Sequence, residues 1–149
     1  MAAQRQYEEL TRQLGAFGVV KRGLARHLPH QCQPGSAAVL SLLHHHGEMR
    51  LSKLAELLSI DVSVTSRHVA HLAERGWLDR EPDPLDKRSR LLRLNAEGES
   101  VLRDISDRYV ATLADALHDW SDEDVGRLVQ LLARLRDSFD DCRPARTTP

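Results

Sequence analysis

Apolar residues recur along most of this 149-residue chain at helical spacing. Over residues 5–28, Leu10, Leu14, Phe17, Leu24 and Leu28 form a near-heptad series with Lys21 in the remaining place. The pattern predicts one long helix with a single apolar stripe, ended by Pro29. A second helix is expected over Ser36–His46, where Val39, Leu40, Leu42 and Leu43 mark a core element and Gly47 supplies the stop.

The middle of the chain changes rhythm. Residues 48–51 are long enough for one edge strand, and a third helix is expected over Ser52–Leu58 with Ser52 as its cap. The turn Ser59-Ile60-Asp61 leads into a fourth helix, Val62–Arg75, with Asp61 at its N-cap. At 100° per residue, Val62, Thr65, Val69 and Leu72 share one side of that helix; Ser63, Ser66, Arg67, Ala70, His71 and Glu74 share the other. Gly76 closes it. Residues 77–81 and 91–94 then read as two strands around the loop PDPLDKRSR. Two short helices followed by a charged hairpin make the outline of a winged helix-turn-helix.

Asn95 is placed to cap a long helix with a stripe of Leu102, Ile105, Tyr109, Leu113, Ala116 and Trp120. Ser121 and Asp124 stand at capping-box spacing ahead of a last helix carrying Val125, Leu128, Leu132, Leu135 and Phe139. The tail from Cys142 is expected to fray. The fold class is therefore mainly α, an α+β winged helix-turn-helix with long N- and C-terminal helices. One domain spans residues 1–149, with a DNA-binding lobe at 36–94 and a helical dimerisation region from 5–28 and 96–140. The terminal helices have more apolar surface than one small winged lobe covers, so a second copy is expected on them. Two-fold symmetry then sets two recognition helices about 34 Å apart and predicts an inverted-repeat site on double-stranded DNA.

The outer face of Val62–Arg75 carries the candidate chemistry. Ser63 and Ser66 are small enough for close approach to base edges or phosphates, Arg67 can pair bidentately with guanine, and His71 is a further base or phosphate contact. In the hairpin, Lys87, Arg88 and Arg90 are expected to meet phosphates. Asp86 is expected to hold the Arg88 guanidinium by a charge-assisted bond.

Overall charge is −1, which by itself argues against a nucleic-acid partner, but the acidic excess is confined to residues 94–149, with 12 acidic to 7 basic side chains. Screening limits each patch to about 8 Å at physiological salt, so one face can bind DNA while another repels it. Aromatics make up 4%, which leaves the core to Leu, Val and Ala. No apolar run approaches a bilayer span and MAAQRQYEEL has no signal-peptide core, so a cytoplasmic protein with no membrane partner is expected.

The order of elements, with LSKLAELLSIDVSVTSRHVAHLAERGWLDR and the wing DPLDKRSRLLRLNAEG, resembles the MarR family of bacterial transcriptional regulators. The resemblance runs from about residue 5 to 140 and is most specific at Arg75-Gly76-Trp77-Leu78, Asp86-x-Arg88 and Leu94-Asn95-x-x-Gly98. It implies an obligate homodimer, joined by its first and last helices, that binds a palindromic operator and usually represses nearby genes. It also implies that Val62–Arg75 reads the major groove and that Arg88, oriented by Asp86, enters the minor groove. Many members release DNA when a small phenolic or other aromatic anion binds between the dimerisation and DNA-binding regions. Here Tyr109, Trp120 and His44–His46 are the wall residues such a pocket implies.

Specialised subgroups fit less well. Peroxide-sensing members carry a reactive cysteine in the first helix, where this chain has none; Cys32 follows in the loop. Urate-responsive members carry a tryptophan there, also absent, and zinc-sensing members pair histidines in the fifth helix, where residues 96–119 hold only His118. A metal- or redox-responsive regulator of the same fold, using Cys32 and nearby histidines, stays open, as does a DNA-binding protein with no effector. No catalytic or cofactor motif is present, so neither an enzyme nor a bound cofactor is expected, and no metal ligands are assigned.

Overall fold

The structure, a computed structural model, describes residues 3–29 and 31–140; the tail from Cys142 lies outside them. The described residues fall into two compact units, one ending at Leu113 and the other beginning at Ala114.

In the first unit, α1 (Gln4–Ala16) and α2 (Gly18–Ala25) replace the single helix expected over 5–28. The Phe17 amide bonds the carbonyl of Leu14, three residues back, at 3.2 Å, which tightens the turn. Gly15 and Gly18 flank this point and weaken the helix there. The second helix also closes before Pro29, because His27 and Leu28 bond Leu24 and Ala25 in the same tight pattern. No residue of α1 or α2 is buried.

The core is built around α3 (Pro34–His46), whose Val39 and Leu40 are fully buried. Against it pack Leu54 of α4 (Leu51–Leu58), Val69 and Leu72 of α5 (Val62–Glu74), and Ile105 of α6 (Ala96–Ala116). Within α5 the helical period correctly places Thr65, Val69 and Leu72 inward, but Val62 is 52% exposed. It occupies the first position, which projects past the edge of the core. Helix α4 starts at Leu51, so Ser52 lies inside it and makes no cap.

Three antiparallel strands complete the lobe in the order β1-β3-β2, with β1 Met49–Arg50, β2 Leu78–Asp83 and β3 Asp86–Leu94. The hairpin is longer than its sequence suggests, since Pro82 pairs with Arg90 and the tip shrinks to Pro84 and Leu85. Proline is tolerated because β2 is an edge strand with a register shift at Pro82/Asp83. Lys87, Arg88 and Arg90 thus stand on strand β3 and not in a loop.

Asn95 joins hairpin to α6 as expected. Its Oδ1 accepts the Gly98 amide at 2.9 Å, while Nδ2 donates to the Gly76 carbonyl at 2.8 Å and to Asp79 at 3.2 Å. Gly98 is required here, because a Cβ would run into the carbonyl oxygen of Trp77. Gly76, at φ +77°, provides the left-handed turn that ends α5.

The second unit contains α7 (Asp122–Asp140), whose amide at Asp124 is capped by Ser121 Oγ at 3.1 Å. Val125, Leu128 and Leu135 are half-buried, whereas Leu132 and Phe139 are exposed. Among the described residues, no helix is long and apolar enough to cross a membrane.

Candidate nucleic-acid interface

Helix α5 presents Ser63, Ser66 and Arg67 to solvent, and β3 presents Lys87, Arg88 and Arg90. None of the three serine and arginine side chains on α5 is hydrogen-bonded or ion-paired within the described residues, which leaves them available to a partner. The first of these elements is held to the body of the protein by histidines.

His71 is half-buried and, unlike Ser63, Ser66 and Arg67, has partners within the protein. Its Nε2 lies 3.2 Å from the Gln31 carbonyl oxygen and 3.1 Å from Arg75 Nε, donating to the first or accepting from the second according to its tautomer, so that nitrogen is engaged within the protein. One turn earlier, His68 Nδ1 lies 3.3 Å from the buried Ser36 Oγ. Burial first, and then the neighbouring Arg67 and His71, lower the His68 pKa. Sequence reasoning passed over His68, which sits between the inward and outward stripes of α5.

Asp86 also acts differently from expectation. Its carboxylate accepts the backbone amide of Arg88 at 3.0 Å and the hydroxyl of Ser89 at 3.2 Å, so it shapes the start of β3, and the Arg88 guanidinium has no partner among the described residues. A short side chain two residues away reaches a nearby amide more readily than a distant guanidinium. Within the hairpin, Glu81 pairs with Arg93, and Asp83, which is 5% exposed, lies 2.7 Å from Arg50 Nε. Its other oxygen accepts the Leu85 amide at 2.9 Å. That amide, followed by Arg50, holds the Asp83 carboxyl below the usual carboxylate range. The pairing of β1 with β3 brings Arg50 alongside the hairpin, and no local sequence signal announces it.

A cavity of about 580 Å³ lies between α3 and α6 in the first unit. Leu102, Ile105, Tyr109 and Leu113 give it apolar walls, and His44, His45, Glu99 and Arg103 give it polar ones. His44 is bonded to Glu99 at 2.9 Å. Of the wall residues expected from sequence, Tyr109, His44 and His45 are present and His46 is not; Trp120 belongs to the second unit.

Cys32 is buried, and burial raises its thiol pKa despite the nearby Arg75. This is the opposite of an activated thiolate. Among the described residues, no group of three or more histidine, cysteine or acidic side chains is arranged to hold a metal ion.

The MarR family model matches residues 33–89, the segment that forms α3 to the wing. The Bacillus subtilis regulator YkoM is 30% identical over 105 residues, covering 70% of this chain and 68% of that protein. The chain belongs to the MarR family. Members are transcriptional regulators, not enzymes. This MarR-family chain spans 62% of the length of another Bacillus subtilis relative, the regulator YdgJ, at 28% identity. Its fold is that of a mutant Escherichia coli MarR crystallised with operator DNA, with a TM-score of 0.70 and 22% identity over 91% of this chain and 99% of that one. It is also similar to the Streptomyces coelicolor regulator PcaV, solved with its natural ligand, with a TM-score of 0.65 and 26% identity over 92% and 98% of the two chains.

Proposed function

We propose that this MarR-family regulator is a cytoplasmic, homodimeric repressor that binds a palindromic operator and is released by a small aromatic or phenolic anion. The observation that carries the DNA reading is the exposed, unpartnered Ser63 and Arg67 on α5 beside the cationic strand β3. Small hydroxyls and one arginine at the start of a helix suit entry into a major groove, with Arg88 free to reach the adjoining minor groove.

Pairing of two copies is supported by the exposed Tyr7, Leu10 and Leu14 of α1 and by Leu132 and Phe139 of α7. The effector class is supported by the cavity between α3 and α6, where apolar walls suit a ring and Arg103 with His45 suits an acidic substituent, His44 being bonded to the Glu99 carboxylate in the same wall. PcaV, with its natural ligand bound, shows that a related regulator of this fold takes a ligand.

Selection of bound sequences from random duplexes, followed by titration of the selected complex with salicylate, tests this reading. The expected result is an inverted-repeat site bound by two copies and released by salicylate but not by an uncharged alcohol of similar size. Recovery of no preferred sequence would end the repressor reading.

A further inference from the structure

A second cleft, of about 290 Å³, opens between α5, the start of α4 and the inner side of the hairpin. Three arginines, Arg50, Arg80 and Arg90, and three serines, Ser52, Ser66 and Ser89, supply its polar lining. Its floor includes Val69 and Leu92, which continue into the core.

The strand register explains how cations come to line the rim of this cleft. Side chains two apart share a face of a strand, so Arg80 stands on the side of buried Leu78, and Arg90 on the side of buried Leu92. The inner face of the hairpin is therefore apolar at its base and cationic halfway to its tip. Arg50 has its charge met by Asp83, which fixes it in place. Arg80 and Arg90 have no hydrogen bond or ion pair among the described residues. Two free guanidinium forks share one cleft with the hydroxyls of Ser52 and Ser66, while the Ser89 hydroxyl is given to Asp86; that donor-rich set matches a tetrahedral oxyanion.

Ser66 identifies the source of that anion. It lines the cleft from α5, one residue before Arg67 and one turn after Ser63, so whatever fills the cleft lies at the edge of the surface α5 offers to DNA. We infer that the cleft between α5 and the hairpin is a clamp for one phosphodiester of the operator backbone in each half-site, closed by Arg80 and Arg90 and by the Ser66 hydroxyl. The inference rests on the operator-binding reading above. It assigns Ser66 to the backbone, leaving Ser63 and Arg67 to face the bases.

The test combines a double variant, R80Q/R90Q, with a scan of single neutral methylphosphonates along the operator. Because both arginines hold one phosphate, the double variant is expected to lower the salt slope by about one unit per half-site, not two. Between 50 and 200 mM salt, the parent then loses about threefold more affinity per half-site than the variant. The reduction is expected on operator and random duplex alike. One methylphosphonate position per half-site is expected to weaken the parent and leave the double variant unaffected. S66A is expected to blunt the effect at that same position, and offers a milder probe if the double variant folds poorly. Parent-like salt slopes in R80Q/R90Q, or no position whose effect the variants suppress, would overturn the clamp while operator binding by the parent stood. Thermal stabilisation of the parent by inorganic phosphate, lost in R80Q/R90Q and without any methylphosphonate effect, would assign the cleft to a free anion and overturn the DNA source. A parent that binds no DNA refutes the underlying reading instead.

Discussion

His68 lies against Ser36, with Nδ1 3.3 Å from Oγ, and its ring rests where a Cβ on Gly35 would have to go. Helix α5 is thereby seated on the first turn of α3, and that same turn contributes Pro34, Ala37 and Ala38 to the cavity wall. One short stretch of backbone is shared by the candidate effector pocket and the seat of α5.

The seat is expected to weaken at acidic pH. Burial lowers the His68 pKa in the folded protein, so between that value and the unfolded one the unfolded chain binds more protons. The contribution of His68 is complete above the unfolded value near pH 6.5 and declines as pH falls toward the folded one. Urea midpoints at pH 7.5 and 5.5 are expected to drop more in the parent than in H68Q. Identical drops in the two proteins would show that His68 carries no such linkage.

Asp83 follows the acidic rule. Its pKa is lowered first by the Leu85 amide and then by Arg50, so the stability it provides is present at neutral pH and is lost as pH falls through the folded value. D83N is expected to unfold at lower urea than the parent at pH 7, with the gap narrowing as pH falls below the ordinary carboxylate value of 3.8. A gap of constant size across that range contradicts the assignment.

Gly98 tests the joint between wing and α6. An added methyl meets the Trp77 carbonyl, which is backbone and cannot swing aside, and also Leu94 Cδ1. G98A is expected to cost about 1–3 kcal/mol, measured by chemical denaturation. A neutral result would mean that the helix start shifts freely.

Arg67 and the clamp arginines are expected to fail in different ways. If Arg67 reads a base, R67A loses about 1–3 kcal/mol of operator affinity and relaxes preference at one position of each half-site. The salt slope stays that of the parent. A uniform loss on every sequence would move Arg67 to the backbone.

Leu10 probes self-association. L10E places a charge on the exposed apolar side of α1 and is expected to shift sedimentation from two copies toward one, weakening operator binding in step. Unchanged sedimentation would place the interface elsewhere.

Much of this was legible from local order. The spacing of Thr65, Val69 and Leu72 defines the inner side of α5, Gly76 ends it, and Asn95 caps α6, because each follows from the geometry of one turn of backbone. The exposed Ser63 and Arg67 follow from the same periodicity. Tertiary structure alone decided the rest. Pairing of β1 with β3 brought Arg50 to Asp83, the hairpin register set the exposed Arg80 and Arg90 on the rim of the cleft beside α5, and the packing of α5 on α3 put His68 on Gly35 and His71 on Gln31. These are meetings between residues 32 to 40 positions apart or set by strand register. Periodicity says which side of an element faces inward, but only the pairing of whole elements says what it faces.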